Sequence, residues 1–391
     1  MKNLALVIGG YVNGYSMLQE LHEMDVENIG LLYYNGQLSR FSNKPTYKRE
    51  ISIDAESLIS AIEALKLIYD KIVLYPCDEN QIEQLVKYRR RIESFCFFPF
   101  NKNNIRECLD KKFQYDSCEK LNIPFPKTVG ATSEFTVADV ENLLYPIIIK
   151  PIKRYEKEGM FRIERIDSFD DFKLFYDTKL SGLIEQHCNF VISELIPGDT
   201  NKGLIYAYTC YRSPLSGEIL NEWVGRKESQ FPDDYGIFST ASSLTNDIVL
   251  EYGRRLVTDL DAYGIVEPEF KFDERDGKYK LMEVNFRSMM WHRTGNLAGV
   301  KLQYTQWLDA IGEPSVKFLQ NTANRKFSYL LHEMYNLVRY KSYYRYFKRN
   351  VLGRDCYLAL WDKNDLIPFM YDSLNMMRMI FRAFLNRIKN A

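Results

Sequence analysis

The stretch from Gly264 to Arg287 constrains the fold of this chain more than any other. It reads Gly-Ile-Val-Glu-Pro-Glu-Phe-Lys-Phe-Asp, then Glu-Arg-Asp-Gly-Lys, then Tyr-Lys-Leu-Met-Glu-Val-Asn-Phe-Arg. Apolar and polar residues alternate on both sides of an Asp-Gly pair, which predicts a β-hairpin that turns at Asp276 and Gly277.

One face of this hairpin is predicted to carry groups that suit a metal and phosphates. Phe270 and Phe272 are expected to face a core, which leaves Glu267 and Asp273 on the opposite, open face. That face also collects two carboxylates, an amide and two cations: Glu269, Glu283, Asn285, Lys271 and Arg287. Hard oxygen ligands suit Mg²⁺ held against phosphates, and the cations would neutralise phosphate charge. A solvated sheet face with ordinary cross-strand ion pairs is the alternative.

Composition indicates a globular protein with more than one core. The chain has 391 residues, 46% hydrophobic and 27% charged, and this length favours two or three subdomains. Basic and acidic residues number 52 each, so the net charge does not indicate a nucleic-acid partner, and none is expected. Seven cysteines without a Cys-x-x-Cys pair predict reduced thiols and a cytoplasmic protein.

The N-terminal region alternates strands and helices. An apolar run from Leu4 to Ile8 is followed by glycines and an amphipathic segment, which predicts the opening of a Rossmann-like unit. A strand over 29–34, a helix over 55–69 and a strand over 71–75 continue the pattern. The Gly-x-Gly-x-x-Gly order is absent, so a tight turn is favoured over a phosphate-binding loop.

Asp78 follows the third predicted strand. Open parallel sheets bind ligands at the carboxyl ends of their strands, so Asp78 is predicted to hold a substrate amine. A helix N-cap role is an equally good interpretation.

Lys150 ends a buried apolar run from Tyr145 to Pro151. A lysine in such a strand is costly to bury unless an anion meets it, which favours an anion-binding role.

The spacing Glu283-Val284-Asn285-Phe286-Arg287 and the Asp-Glu-Arg-Asp-Gly turn before it resemble the metal-binding hairpin of the ATP-grasp superfamily. The resemblance extends to its carboxylate–amine ligases, among them the D-aspartate ligases. It implies an α/β fold with an α+β lid: a Rossmann-like pre-ATP-grasp domain over 1–108, a lid over 109–195 and a core over 196–319. A basic, aromatic helical extension over 320–391 would follow.

The same resemblance implies roles for individual residues. Mg²⁺ or Mn²⁺ would be held by Glu269, Glu283 and Asn285, and Arg287 and Lys271 would be catalytic. ATP would be bound by two lysines, a hinge strand and a ribose-binding acid: Lys111, Lys150, Glu194, Leu195, Ile196 and Asp199, with Thr200 as the alternative to Asp199. The loop from Ile152 to Gly159, with Lys153, Arg154 and Lys157, would cover the phosphates.

The implied activity is ATP-dependent joining of a small carboxylate to an amine, from an amino acid or a cell-envelope precursor. An ATP-grasp kinase or carboxylase, or a nucleotide-binding regulator without turnover, are the alternatives. A homodimer is compatible with this class. Two segments are expected to contact the acceptor, namely a polar loop over Arg226–Thr240 and the residues from Met289 to Asn296.

The C-terminal tail is basic. From Gln320 onward there are 13 basic and 5 acidic residues. Apolar residues recur near helical spacing at Met370, Leu374, Met377, Phe381, Phe384 and Ile388. Docking of this stripe on the core is favoured, and peripheral attachment to the inner face of an anionic membrane is the alternative.

Overall fold

Residues 2–100, 103–152, 159–231, 236–353 and 355–389 are described by a computed structural model. Their contacts divide the chain into two compact units. The first comprises Met1–Leu121, Asp199–Phe270 and Glu283–Ala391, and the second comprises Asn122–Gly198 and Lys271–Met282.

A five-stranded sheet opens the first unit. Its strands are β1 (Asn3–Ile8), β2 (Ile29–Tyr33), β3 (Tyr47–Glu50), β4 (Lys71–Pro76) and β5 (Cys96–Phe97). Their order is β3-β2-β1-β4-β5 and every pair is parallel. The predicted Rossmann-like arrangement is therefore confirmed. The sequence did not indicate β3 and β5, because β3 has no apolar alternation and β5 has two residues.

Six helices accompany this sheet: α1 (Val12–Glu23), α2 (Ala55–Leu65), α3 (Glu79–Lys87), α4 (Arg89–Ile92), α5 (Ile105–Cys108) and α6 (Lys111–Leu121). The turn before α1 is closely packed. Gly9 has a φ of +105°, and a Cβ there would lie 2.8 Å from the Cβ of Cys77. Glycine is therefore required at this turn for backbone conformation and for space.

The second unit contains a four-stranded antiparallel sheet. Its strands are β6 (Thr128–Ala131), β7 (Ile147–Pro151), β8 (Glu164–Ile166) and β9 (Phe190–Glu194), in the order β6-β9-β7-β8. Helices α7 (Phe169–Phe175) and α8 (Ser181–Glu185) are joined by a π-helical segment, Tyr176–Leu180. Ile147, Ile149, Phe172 and Phe190 form part of its core.

A seven-stranded sheet contains β10 (Ile205–Arg212), β11 (Ile219–Phe231), β12 (Ile237–Ser242), β13 (Gly264–Asp273), β14 (Lys278–Asn285), β15 (Lys326–Ser328) and β16 (Cys356–Leu358). Its order is β14-β13-β10-β11-β12-β15-β16. The associated helices are α9 (Asp247–Asp259), α10 (Arg293–Leu297), α11 (Leu302–Ile311), α12 (Leu330–Arg339), α13 (Tyr344–Val351) and α14 (Leu366–Lys389).

The two segments assigned to the acceptor are mostly core. Arg226–Thr240 is not a loop, because Arg226–Phe231 and Ile237–Thr240 belong to β11 and β12, and 232–235 lie outside the described residues. In the segment from Met289 to Asn296, Trp291 is fully buried and stacks on Phe238 with ring centroids 4.3 Å apart.

The C-terminal helix α14 docks on the first unit, but not through the predicted stripe. The Tyr329 hydroxyl donates to the buried Asp372 carboxylate at 3.0 Å, and Phe369 packs against the core. Met370, Leu374, Met377 and Phe381 are exposed, whereas the side chains of Phe384 and Ile388 lie outside the described residues. Within the part of the chain that the structure describes, no helix has the length and apolar content needed to cross a bilayer.

Candidate active site

The hairpin of β13 and β14 forms as the alternation predicts. The amide of Gly277 donates to the carbonyl of Asp273 at 2.9 Å, and Gly277 has a φ of +68°, which glycine adopts without strain. The buried Asp273 carboxylate accepts hydrogen bonds from Arg275 and Lys280, each at 2.7 Å. These contacts fix the turn and with it the register of the polar residues.

The polar residues of β13 are buried rather than open to solvent. Glu267 and Asp273 have no exposed surface, and Glu269 and Lys271 are 5% and 7% exposed. For β13, the alternative of a solvated sheet face is therefore wrong. Buried charges are costly unless they are paired, so the partners of these residues define the site.

The three predicted metal ligands lie in the first unit with two lysines. Lys227 Nζ is 3.2 Å from Glu269 Oε1, and Lys111 Nζ is 4.0 Å from Glu283 Oε2. Asn285 is 8% exposed, whereas the Glu283 side chain is 47% exposed. The structure therefore brings a predicted phosphate-binding lysine, Lys111, next to a predicted metal ligand.

Electrostatics in this cluster favour a bound cation. Burial raises the pKa of Glu269 to about 7; Lys227 lowers it, and the charges of Glu283 and Glu267 raise it further. Neighbouring ionised carboxylates repel each other, and a cation held between them stabilises their charged forms.

The donor atoms are hard oxygens, which suit Mg²⁺ or Mn²⁺. Among the described residues, no group of three or more His, Cys, Asp or Glu side chains is arranged to hold a metal ion. A cation here would therefore depend on the Asn285 amide oxygen and on oxygens from a ligand as well as on Glu269 and Glu283.

Arg287 lies beside the start of α3. Its Nε is 2.8 Å from Glu79 Oε1. Asp78 is the N-cap of this helix, because its carboxylate accepts the Gln81 amide at 2.8 Å. Burial raises the pKa of Asp78 above its usual value. The hydrogen bond from the Gln81 amide and the charge of Arg287 oppose this shift. The structure thus supports the capping role of Asp78, and its contact with a substrate amine stays a prediction.

Lys271 has partners within the second unit. Its Nζ donates to the carbonyls of Ile196 at 2.8 Å and Gly198 at 3.1 Å. The ammonium group therefore holds the segment that follows β9, and its predicted catalytic role remains untested.

The predicted adenine-binding segment begins at Glu194, which is buried. The amides of Glu194 and Leu195 donate to the carbonyls of Lys127 and Pro146, at 3.0 and 2.9 Å. These two amides are occupied within the unit, so the predicted recognition of a base would fall to the remaining backbone groups. Ile196 is 3% exposed, whereas Leu195 is half-buried. Leu195 is therefore the more accessible of these two apolar side chains.

Lys150 lies in β7, opposite Val191 of β9, as the apolar run around it predicts. Lys153, Arg154 and Lys157 of the predicted phosphate-covering loop lie outside the described residues.

Asp199 lies in the first unit, where the Tyr346 hydroxyl donates to its Oδ2 at 2.9 Å. Its Oδ1 accepts the Asn201 amide at 2.9 Å. The C-terminal extension thus supplies a partner for the predicted ribose-binding acid, and no pattern in the sequence indicated this contact.

Three other residues of the candidate site were not predicted from the sequence as site residues. Lys227 lay in the predicted loop, Glu267 was placed on the hairpin face but outside the ligand set, and His292 lay in the segment from Met289 to Asn296 that was assigned to the acceptor. The alternation of β13 placed Glu267 on the same face as Glu269, so that signal was present.

The chain is similar to known proteins in sequence and in fold. No family model matches the chain. A D-aspartate ligase from Enterococcus faecium (strain Aus0004) is 23% identical over 314 residues, which span 73% of this chain and 71% of the ligase.

Two solved structures illustrate the fold. An N5-carboxyaminoimidazole ribonucleotide synthetase in complex with ADP matches with a TM-score of 0.62 and 16% identity, over 87% of this chain and 85% of its own. An L-amino acid ligase from Bacillus licheniformis matches with a TM-score of 0.56 and 13% identity, over 81% and 75%. The chain therefore has the ATP-grasp fold, and its sequence resembles that of a carboxylate–amine ligase of this superfamily.

Proposed function

We propose that the protein is an ATP- and Mg²⁺-dependent ligase that activates a carboxylate as an acyl phosphate and joins it to an amine. The observation that carries this proposal is the cluster of Glu269, Glu283 and Asn285 with Lys111 in one compact unit. The similarity to a D-aspartate ligase over 73% of the chain supports the reaction class.

In the first step, a carboxylate oxygen of the substrate attacks the γ-phosphorus of ATP and ADP leaves. Mg²⁺ or Mn²⁺, held by Glu269, Glu283 and Asn285, would offset the charge of the phosphates. Lys111 adds positive charge beside Glu283, and Lys150 is assigned to the nucleotide phosphates by the family resemblance. Catalysis of this kind relies on positioning and electrostatics rather than on a covalent nucleophile.

In the second step, the amine nitrogen attacks the acyl carbon, inorganic phosphate leaves and the nitrogen loses a proton. Arg287 would contact the departing phosphate, and Asp78, whose pKa the charge of Arg287 lowers, would hold the amine before attack. The ion pair of Arg287 with Glu79, at 2.8 Å, would keep the guanidinium at the carboxyl end of β4.

The substrates are proposed to be an amino acid and an amine from an amino acid or a cell-envelope precursor. Two rival functions predict different results. A carboxylase or kinase of this fold forms ADP without an amine, and a nucleotide-binding regulator forms none.

An ADP-release screen distinguishes these functions. Each amino acid is supplied with ATP and Mg²⁺, alone or with amine-bearing envelope precursors, and ADP and the amide product are measured. In the amine-free reactions, bicarbonate or a carboxylic acid without an amino group replaces the amino acid. We expect ADP release only when carboxylate and amine are both present. ADP formed with bicarbonate, or with no amine, would contradict the ligase assignment, and so would ATP binding without any turnover.

We also propose that α14 attaches the protein peripherally to an anionic membrane. The exposed stripe consists of Ile367, Met370, Leu374, Met377 and Phe381, each at least 50% exposed. The sequence from Leu366 to Lys389 has four basic residues and one acidic residue. Basic residues near an anionic surface contribute about 1 kcal/mol each, and the stripe would add apolar burial.

We expect the full chain to cosediment with phosphatidylglycerol vesicles at low salt and to be released at 1 M salt, where the Debye length is about 3 Å. Truncation after Asp365 should reduce binding, but it also removes Asp372. A variant with Met370→Ser, Met377→Ser and Phe381→Ser is the more specific test, because it leaves unchanged the side of α14 that packs on the core. A full chain that stays in the supernatant would refute membrane contact, and a dimer that these serines dissociate would assign the stripe to self-association.

A further inference from the structure

His292 is buried beneath the predicted metal ligands. It is 4% exposed and lies in the short 3-10 helix Met290–His292 that precedes α10. Its Nε2 is hydrogen-bonded to one carboxylate oxygen of Glu267. The other oxygen of Glu267 accepts the side-chain amide of Asn285 at 3.2 Å. A chain of hydrogen bonds therefore leads from the imidazole to a predicted metal ligand.

The contacts of His292 define which ring nitrogen carries the proton. The backbone amide of Met289 donates to Nδ1 at 3.2 Å. A backbone N–H can only donate, so Nδ1 is the acceptor and Nε2 carries the proton of the neutral ring. Burial lowers the pKa of His292 to about 3, so the ring is neutral at physiological pH. His292 is therefore a hydrogen-bond donor to Glu267.

The carboxylate of Glu267 in turn orients Asn285. The side-chain nitrogen of Asn285 donates to Glu267 Oε1, while His292 Nε2 holds the other oxygen of the same carboxyl group. The oxygen of the same amide then points away from Glu267. Without this contact the amide could present either atom, and only the oxygen can bind a cation.

The imidazole has little room to move. Its centroid is 5.3 Å from the Trp291 ring and 6.1 Å from the Trp223 ring, and both contacts are edge-on. A Cβ at Gly295 would lie 2.3 Å from the Trp223 ring, so the indole is packed directly onto the backbone of α10. The Nε2–H group of His292, which donates to Glu267, is consequently held in one position.

We propose that His292 and Glu267 are positioning residues, which fix the Asn285 amide so that its oxygen faces the cation. This inference rests on the proposed function, because Asn285 is a metal ligand only in that function. Residues that hydrogen-bond to metal ligands typically change metal affinity by about 10- to 100-fold when they are replaced.

Mn²⁺ binding provides a readout that does not depend on turnover. We would measure it by electron paramagnetic resonance, in the presence of a non-hydrolysable ATP analogue, together with the melting temperature. We expect His292→Leu to weaken Mn²⁺ binding by about 10-fold or more. His292→Gln, whose side-chain amide can donate to Glu267, should recover part of this loss.

His332 provides the matched control. It is also buried, burial also lowers its pKa to about 3, and its ring stacks on Phe231 at 4.1 Å. His332→Leu should leave Mn²⁺ affinity unchanged. If both leucine variants weaken Mn²⁺ binding equally, or if His292→Leu binds Mn²⁺ as the native protein does, the inference is wrong.

Glu267→Gln is the second variant, in case His292→Leu does not fold. Glutamine offers one acceptor and one donor where two donors converge, so the Asn285 amide would turn its nitrogen toward the cation. We expect weaker Mn²⁺ binding, and native affinity would overturn the inference. A native protein that binds neither nucleotide nor Mn²⁺ would instead refute the proposed function.

Discussion

Glu283→Gln is expected to abolish Mg²⁺-dependent ADP formation while the protein stays folded. Glutamine keeps the shape of the side chain but removes the charge that would bind the cation. We expect a loss of at least about 100-fold in kcat/KM, which corresponds to about 2.7 kcal/mol of transition-state stabilisation. The fold should tolerate the change, because the Glu283 side chain is 47% exposed and its contact with Lys111 is 4.0 Å long. Such exposed pairs contribute about 0–1 kcal/mol.

The matched control for this experiment is Glu251→Gln on α9. Glu251 is also partly exposed and also pairs with a cation, since its Oε1 is 3.1 Å from Arg255. Its replacement should leave ADP formation within about 2-fold of native, as is usual for surface positions. Near-native turnover of a folded Glu283→Gln protein would remove this residue from the metal site.

Lys150→Ala is expected to weaken ATP binding by about 10-fold or more, since a hydrogen bond to a charged group contributes about 1.5–3 kcal/mol. The reason is that the ATP phosphates would lose a cation: Lys150 lies half-buried in β7 opposite Val191, and the family resemblance assigns it to the nucleotide phosphates. Isothermal titration calorimetry with ATP and Mg²⁺ measures the effect directly.

Lys173 on α7 is the matched lysine in the same unit. Its Nζ pairs with Asp170 at 2.6 Å on an exposed helical surface. Lys173→Ala should bind ATP as the native protein does. Equal losses for Lys150→Ala and Lys173→Ala would show that the position of Lys150 in β7 has no bearing on nucleotide binding.

The hairpin illustrates what could be predicted. Alternation of residue types fixed which residues of β13 and β14 lie opposite one another, and the Asp-Gly pair located the turn. The grouping of Glu269, Glu283 and Asn285 follows from those two local rules. The elements β1, α1, β2, α2 and β4 were predictable for the same reason, because hydrophobic periodicity is a local property of the sequence.

Strand β11 illustrates the opposite case. Its residues from Arg226 to Gln230 are polar or charged and yet buried or half-buried, so their pattern resembled a loop. Glu228 is satisfied by Arg226 and by Ser242, with distances of 2.6 Å from the nearest atom of each. The Ser229 hydroxyl donates a hydrogen bond to Glu333, which lies 104 positions later in the chain. No local pattern predicts partners at such separations.

The sequence by itself therefore determined the two strands and the turn of the hairpin, and it predicted the oxygen ligands of the candidate metal site. Only the tertiary structure decided that the polar residues of β13 are buried, that Lys227 pairs with Glu269, and that His292 reaches Asn285 through Glu267. The physical reason is that burial of a charged group depends on partners that the fold brings together. Lys227 and Glu269 are 42 positions apart, and His292 and Glu267 are 25 apart. Their pairing is a property of the folded protein, and it cannot be predicted from periodicity along the chain.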